Sequence, residues 1–398
     1  MKKVLFVINT LGCAGAEKAL LELLKRFLPE QYEVSLYVLL GQGELIHEIP
    51  EYVRVLNKDY SDTSVLSEEG KKILRQRVAG RLFKRGALIK NLPGMLRYLA
   101  GRQGGQKAGP DKLLWRVMSD SAWYPQEHYD LAVAYLEGGA TYYVHDHVKA
   151  DKKMTFLHVD YIEAGYTRQL DQNCYIDFDK IFTVSSEVSQ SFLSVYPECR
   201  EKTEVFHNLI DQEEIKRKSM LSGGFADRYD GFRILTVGRL TAQKAYETAI
   251  DAMKIVKDAG IRARWYVLGE GELRSSLQAQ IDQLGLHDDF ILLGAVSNPY
   301  PYYRQCDLYV HATRFEGKSI AIQEAQTLGC ALLVSDCSGN REQVTEGVDG
   351  SMCELTAEAV AREIIILLKD DEKRHQYGKN AAARQIDNAV DIRKIFEL

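Results

Sequence analysis

Short, unbroken apolar runs, each followed by a turn and an amphipathic helix, recur along this chain and restrict it to very few folds. The first is Val4-Leu5-Phe6-Val7-Ile8. Five consecutive apolar residues suit a strand covered on both faces, as strands of a parallel sheet are. Gly12 and Gly15 follow, and the next segment places Ala19, Leu20, Leu23, Leu24 and Phe27 on one helical face. Residues 34–40 read as the second strand, completing a βαβ start. Further strands are predicted at 131–135, 154–157 and 180–184. The second half is more regular, with strands at 233–237, 265–268, 290–293, 307–311 and 331–334 and helices between them. Such alternation requires a parallel, doubly wound sheet.

At 398 residues the chain is long enough for two such domains. The polar stretch 211–231, with Ser222-Gly223-Gly224 at its centre, reads as the linker. The predicted division is an N-terminal domain over 1–208, a C-terminal domain over 209–383, and a tail over 384–398 that returns to the first domain. Ligands are expected in a cleft between the C-terminal ends of the two sets of strands.

Composition narrows the function classes. A net charge of −5 argues against a nucleic-acid partner. The seven cysteines are odd in number and form no CxxC pair, which fits a reducing cytosol better than a disulfide framework or a zinc site. Met1-Lys2-Lys3 and the apolar run after it resemble the start of a signal peptide. The run stops at Asn9-Thr10, however, and a buried strand is the better reading. No stretch is long and apolar enough to span a membrane.

Residues 71–116 break the pattern. Thirteen cations fall here against one acid, Asp111, with apolar residues interleaved. A basic amphipathic stretch suggests an anionic membrane surface. The alternative is a helical insertion whose charges merely face water.

Two segments carry chemistry. In Glu316-Gly317-Lys318-Ser319-Ile320-Ala321-Ile322-Gln323-Glu324, one carboxylate lies on the loop leaving a strand and the other inside the following helix. The helix start offers free N–H groups and partial positive charge to a phosphate, and carboxylates accept hydrogen bonds from sugar hydroxyls. Gly238-Arg239-Leu240-Thr241-Ala242-Gln243-Lys244 is also a strand-to-helix turn, where Arg239 and Lys244 can meet one anion. Asp177-Phe178-Asp179 spells a D-x-D metal motif but stands apart from these residues. His145-Asp146-His147 has no partner at ligand spacing. No metal is expected.

Together with Gly269-Glu270-Gly271 and Gly339-Asn340-Arg341-Glu342, these segments resemble the donor domain of the group 1 glycosyltransferases, which are retaining enzymes with the GT-B fold. The resemblance is strongest over 230–350. It implies that Arg239 and Lys244 hold the donor diphosphate, Glu316 binds hydroxyls of the transferred sugar, and Glu324 binds the ribose. Backbone N–H groups from Gly317 through Lys318 and Ser319 to Ile320 would meet the phosphate or sugar. Gly269 and the loop at Val296 would flank the base. In the first half, Gly12-Cys13-Ala14-Gly15-Ala16-Glu17 resembles the family's glycine-rich loop, with Gly15 allowing close approach to a ligand, and His158 resembles a histidine beside the sugar. Ala14, Ala245 and Lys318-Ser319 depart from the usual pattern. The implied activity is metal-independent transfer of a hexose, with retention, from a nucleotide-diphosphate sugar to a hydroxyl acceptor. The basic stretch suggests a lipid-linked or growing surface polysaccharide as acceptor, and a cytoplasmic enzyme peripheral to the inner face of the membrane. A silent partner subunit and a nucleotide-sugar epimerase or phosphorylase on the same fold are the alternatives.

Overall fold

The computed structural model describes residues 1–100, 110–384 and 389–396. The chain forms two compact units, Met1–Leu209 with Asn388–Leu398, and Ile210–Asp387.

The first unit holds β1 (Lys2–Ile8), β2 (Tyr32–Val38), β3 (Arg54–Val55), β4 (His128–Ala134), β5 (Lys149–Leu157), β6 (Lys180–Thr183) and β7 (Thr203–Val205). Their order in the sheet is β3-β2-β1-β4-β5-β6-β7, and every pairing is parallel. The second unit holds β8 (Phe232–Val237), β9 (Ala263–Leu268), β10 (Phe290–Gly294), β11 (Leu308–His311), β12 (Leu332–Ser335) and β13 (Ser351–Cys353). Its order is β10-β9-β8-β11-β12-β13, again parallel throughout. Both are Rossmann-like sheets. In each, the chain steps outward from the first strand, then crosses back to its other side. The loops leaving β1 and β4, and those leaving β8 and β11, therefore depart in opposite directions and open a crevice at the strands' C-terminal ends.

The central strands are buried on both faces, as the apolar runs require. Leu5, Phe6, Val7 and Ile8 are fully buried, as are Ile234, Leu235, Leu332 and Val334. The terminal helix Ala389–Phe396 belongs to the first unit, where the Phe396 ring packs 4.9 Å from Phe27 and 5.2 Å from Tyr32.

One sequence expectation needs revision, and a second gains detail. The polar segment after 211 is not an open linker, because residues Gln212–Ser219 form a helix. The Asp211 side chain caps it by accepting the Glu214 N–H at 2.9 Å. Glu213 and Glu214 sit in its first turn and Lys216, Arg217 and Lys218 in its last, matching the helix dipole. Ile215, its buried apolar residue, anchors it, and Ser219 is buried at its end.

The basic stretch is the second. It forms the helices Glu68–Leu82, Ala87–Ala100 and Pro110–Ser121, and much of its charge is used internally. Arg77 donates to the Leu40 and Gly41 carbonyls at 3.0 and 2.8 Å and pairs with Asp59 at 3.0 Å. Arg116 donates to the Leu170 carbonyl at 2.9 Å, pairs with Asp146 at 3.0 Å and lies over the Tyr142 ring. Arg102 and Lys107 lie outside the described residues.

In the second unit two turns are laced together. Leu240 N–H donates to the Glu270 carbonyl at 3.0 Å, and Leu273 N–H donates to the Leu240 carbonyl at 3.1 Å. A Cβ on Gly271 would stand 2.3 Å from the Leu240 carbonyl oxygen, and one on Gly269 would stand 1.9 Å from that of Gly238. Glycine is needed at both positions because backbone meets backbone there. Gly271→Ala is expected to lower unfolding stability by about 1–3 kcal/mol, measured by denaturant titration. An unchanged midpoint would show that the two turns separate freely.

Candidate functional site

The crevice between β8 and β11 holds a buried charged cluster. Lys244 ends the short turn after β8, and Glu316 lies on the loop after β11. The loops are tied before the charges meet. Arg314 N–H donates to the Gln243 carbonyl at 2.9 Å, the Gln243 amide donates to the Phe315 carbonyl at 2.8 Å, and the Thr313 hydroxyl donates to the Gln243 carbonyl at 3.0 Å. Lys244 Nζ then donates to Glu316 Oε1.

A third group completes the cluster. His311, at the end of β11, is 1% exposed, and its Nε2 lies 3.1 Å from Glu316 Oε1 and 3.3 Å from Lys244 Nζ. Its Nδ1 lies 3.1 Å from the Tyr309 hydroxyl. If the Tyr309 hydroxyl donates to Nδ1, the Nε2 proton points at Glu316, which assigns the tautomer. Burial lowers the imidazole's proton affinity and the Lys244 charge lowers it further, against the pull of Glu316. His311 is therefore a neutral donor. Burial pushes the Glu316 carboxyl up, but the Lys244 charge and the His311 hydrogen bond outweigh it and hold the pKa at about 2. Removing either member of such a buried pair leaves an uncompensated charge, typically a loss of about 3–5 kcal/mol.

The surrounding glycines explain how the cluster fits. The Lys244 stem runs past Gly238, where a Cβ would be 3.4 Å from Lys244 Cε. Gly339, at φ +81°, lies under the Glu316–Gly317 peptide, where a Cβ would meet the Gly317 oxygen at 2.5 Å. Ala245, one of the residues that depart from the resembled pattern, takes a left-handed conformation, φ 44° and ψ 39°, which is uncommon for a residue with a Cβ.

The other expected residues fall along the same strand ends. Arg239 is exposed on the turn after β8. Gly269 follows β9, and Val296, half-buried, follows β10. Gly317, Lys318 and Ser319 lead into the helix Ile320–Thr327, whose N-terminus has no side-chain cap. The Gln343 amide grips Ser319 from both sides, accepting from its N–H at 2.7 Å and donating to its carbonyl at 2.8 Å. Glu324 is buried but does not join Glu316. Its two oxygens accept from the Tyr300 and Tyr303 hydroxyls at 3.2 and 3.1 Å.

In the first unit Gly15 opens the helix Gly15–Leu24 after β1 and is exposed. His158 follows β5, and its backbone N–H donates to Glu137 Oε2 at 2.9 Å. Both ring nitrogens are buried, and neither finds a hydrogen-bond partner among the described residues. The ring packs 5.1 Å from Tyr135, whose own buried hydroxyl is also unpartnered. Burial keeps this imidazole neutral, pushing its pKa down to about 3. The nearby Tyr135 backbone opposes the shift without reaching hydrogen-bond geometry. Unsatisfied buried nitrogens at a strand's C-terminal end mark a place where a ligand or water belongs.

Sequence reasoning missed His311, Tyr309 and Glu137. The signal for His311 was a polar residue closing an otherwise apolar strand only five positions before Glu316. Asp177 and Asp179 precede β6, at the N-terminal edge of the sheet, where Asp177 meets His145 Nε2 at 2.8 Å and Asp179 accepts the Lys153 N–H at 2.8 Å. Asp120, Asp146 and His147 do approach, with one ligand atom each within 4.8 Å of the others. Asp120 already accepts from Lys90 at 2.9 Å and Asn91 at 2.7 Å, and Asp146 pairs with Arg116.

The chain is similar to known proteins in sequence and in fold. Residues 226–384 match the family model described as glycosyl transferases group 1. Over 185 residues the chain is 32% identical to the N-acetylgalactosamine-N,N'-diacetylbacillosaminyl-diphospho-undecaprenol 4-alpha-N-acetylgalactosaminyltransferase of Campylobacter jejuni, covering 46% of this chain and 49% of that one. It is 28% identical over 171 residues to the capsular polysaccharide biosynthesis glycosyltransferase CapM of Staphylococcus aureus, covering 42% and 44%. The chain thus spans about half the length, or less, of these curated relatives. The crystal structure of Anabaena Alr3699/HepE in complex with UDP-glucose superposes with a TM-score of 0.68 at 16% identity, covering 100% of this chain and 99% of that one. At that identity the likeness establishes the fold, two Rossmann-like units of the GT-B kind. The similarity to the group 1 glycosyl transferases runs through residues 226–384, the unit that carries Lys244, Glu316 and Glu324.

Proposed function

We propose that this protein is a retaining, metal-independent hexosyltransferase. It takes the sugar from a nucleotide-diphosphate donor and delivers it to a hydroxyl of a lipid-linked or growing surface polysaccharide at the cytoplasmic face of the membrane. The observation that carries the reading is the buried Lys244–Glu316–His311 cluster in the crevice between β8 and β11.

When the bond from the anomeric carbon to the diphosphate breaks, negative charge develops on the departing phosphate oxygen. Lys244, with Arg239 beside β8, supplies fixed positive charge there, and the free N–H groups at Ile320 add the helix dipole. Glu316 neutralises Lys244 while the site is empty. Once the donor's phosphates claim Lys244, the carboxylate stays ionised, held by the neutral His311, and accepts hydrogen bonds from sugar hydroxyls. Glu324, whose oxygens accept from the Tyr300 and Tyr303 hydroxyls, takes the ribose hydroxyls. Gly269 and Val296 border the base. In the first unit, the N-terminus at Gly15 and the unpaired nitrogens of His158 serve the sugar side. The Campylobacter relative's name places its acceptor on diphospho-undecaprenol, which favours a lipid-linked acceptor here, and the UDP-glucose in the Anabaena structure favours a nucleotide-sugar donor.

Incubation with UDP-, GDP-, ADP- and dTDP-sugars in EDTA is expected to release nucleoside diphosphate slowly from one donor. Glu316→Ala should reduce that release by about 100-fold or more. No release and no binding of any donor by the wild type would overturn the reading.

His158→Phe separates function from packing. It removes two unsatisfied nitrogens, so thermal stability should hold or rise, while kcat should fall by about 100-fold. A lower melting temperature with full activity would make His158 a packing residue.

A further inference from the structure

We infer that the outward face of the helices Glu68–Leu82 and Ala87–Ala100 is a docking surface for a bilayer containing anionic lipid. Ile89, Leu92 and Leu96 recur at i, i+3 and i+7 on the second helix, and so share one face. They are 77%, 46% and 56% exposed, and Phe83, at the turn between the helices, is 80% exposed. Ile89, Leu92 and Leu96 leave an apolar helical face in water, and Phe83 adds a fourth exposed large apolar side chain within the same fourteen residues.

Their neighbours indicate what covers them. On the first helix, Lys72 and Arg75 lie on the exposed side in line with Phe83, and Lys84 follows it. Lys90, between Ile89 and Leu92, pairs with Asp120 but leaves 65% of its side chain in solvent. Over residues 72–96 the outward cations are interleaved with the apolar groups, while Arg77 and Arg81 turn inward to carbonyls. The positive charge is therefore sorted, with one part supporting the fold and the other bordering the apolar face. Apolar groups that insert and cations that meet phosphates are what an anionic lipid surface requires. A second copy of the chain would bring like charge against like charge.

The inference rests on the proposed lipid-linked acceptor for its purpose, since a lipid-borne substrate reaches only an enzyme held at the membrane. Its geometry is independent of the donor site. The test is flotation of the full chain with vesicles of phosphatidylcholine, with or without phosphatidylglycerol. Wild type should float with the anionic vesicles and be released by high salt. The combined variant Lys72→Gln, Arg75→Gln, Lys84→Gln should lose about 100-fold in partitioning, about five-fold for each cation. The combined variant Phe83→Ser, Ile89→Ser, Leu92→Ser, Leu96→Ser alters only exposed residues and should lose at least about ten-fold, with donor hydrolysis unchanged in both. A wild type that stays unbound, or a serine variant that floats equally well, would overturn the inference. So would a concentration-dependent dimer that only the serine variant abolishes. Flotation without donor hydrolysis in any variant would support the docking face and count against the transferase reading.

Discussion

A carboxylate taken out of water must find its counter-charge, and much of the second unit is arranged so that Glu316 finds Lys244. The two residues stand 72 positions apart. They meet because the strand order reverses between β8 and β11, which brings two outgoing loops together at one edge of the sheet. Side-chain hydrogen bonds from Gln243 and Thr313 to backbone carbonyls fix the loops, the glycines at 238 and 339 make room, and His311 meets the same carboxylate oxygen as Lys244. Fixed charges of opposite sign in a site with little water form a preorganised environment for a ligand that carries both phosphates and hydroxyls.

The regular parts of the fold were legible because their physics is local. A strand covered on both faces must be apolar along its length, so the runs at β1, β8, β9 and β12 were plain in the sequence, as was the doubly wound architecture they imply. Lys244 and Glu316 were recognisable from their turns, but their mutual contact was not, since no local pattern reports which loop lies opposite. His311 was hidden for the same reason, reading as one polar residue at the end of a strand. The helix Gln212–Ser219 was passed over because its composition is that of a linker. Its stability comes from the Asp211 cap, end charges that match the dipole and the buried apolar side chain of Ile215.

The basic insertion shows the limit of charge counting. Thirteen cations in one stretch suggested a single role. Arg77 and Arg116 instead neutralise carbonyls and carboxylates of the first unit, through contacts that cross tens of residues and leave no trace in the local sequence. Only the residues facing outward remain to act on a partner. In the same unit, His158 was picked out by resemblance. The physical reason to credit it is its two buried, unpaired nitrogens, which no sequence pattern could supply.

The central claim is that Lys244 and Glu316 are held together until a donor separates them. A crystal structure with the cognate nucleotide-diphosphate sugar tests it most directly. The account predicts a phosphate oxygen within hydrogen-bond reach of Lys244 Nζ, a sugar hydroxyl on a Glu316 oxygen, and His311 still bonded to that carboxylate. A donor bound elsewhere, with the Lys244–Glu316 pair intact and untouched, would contradict it.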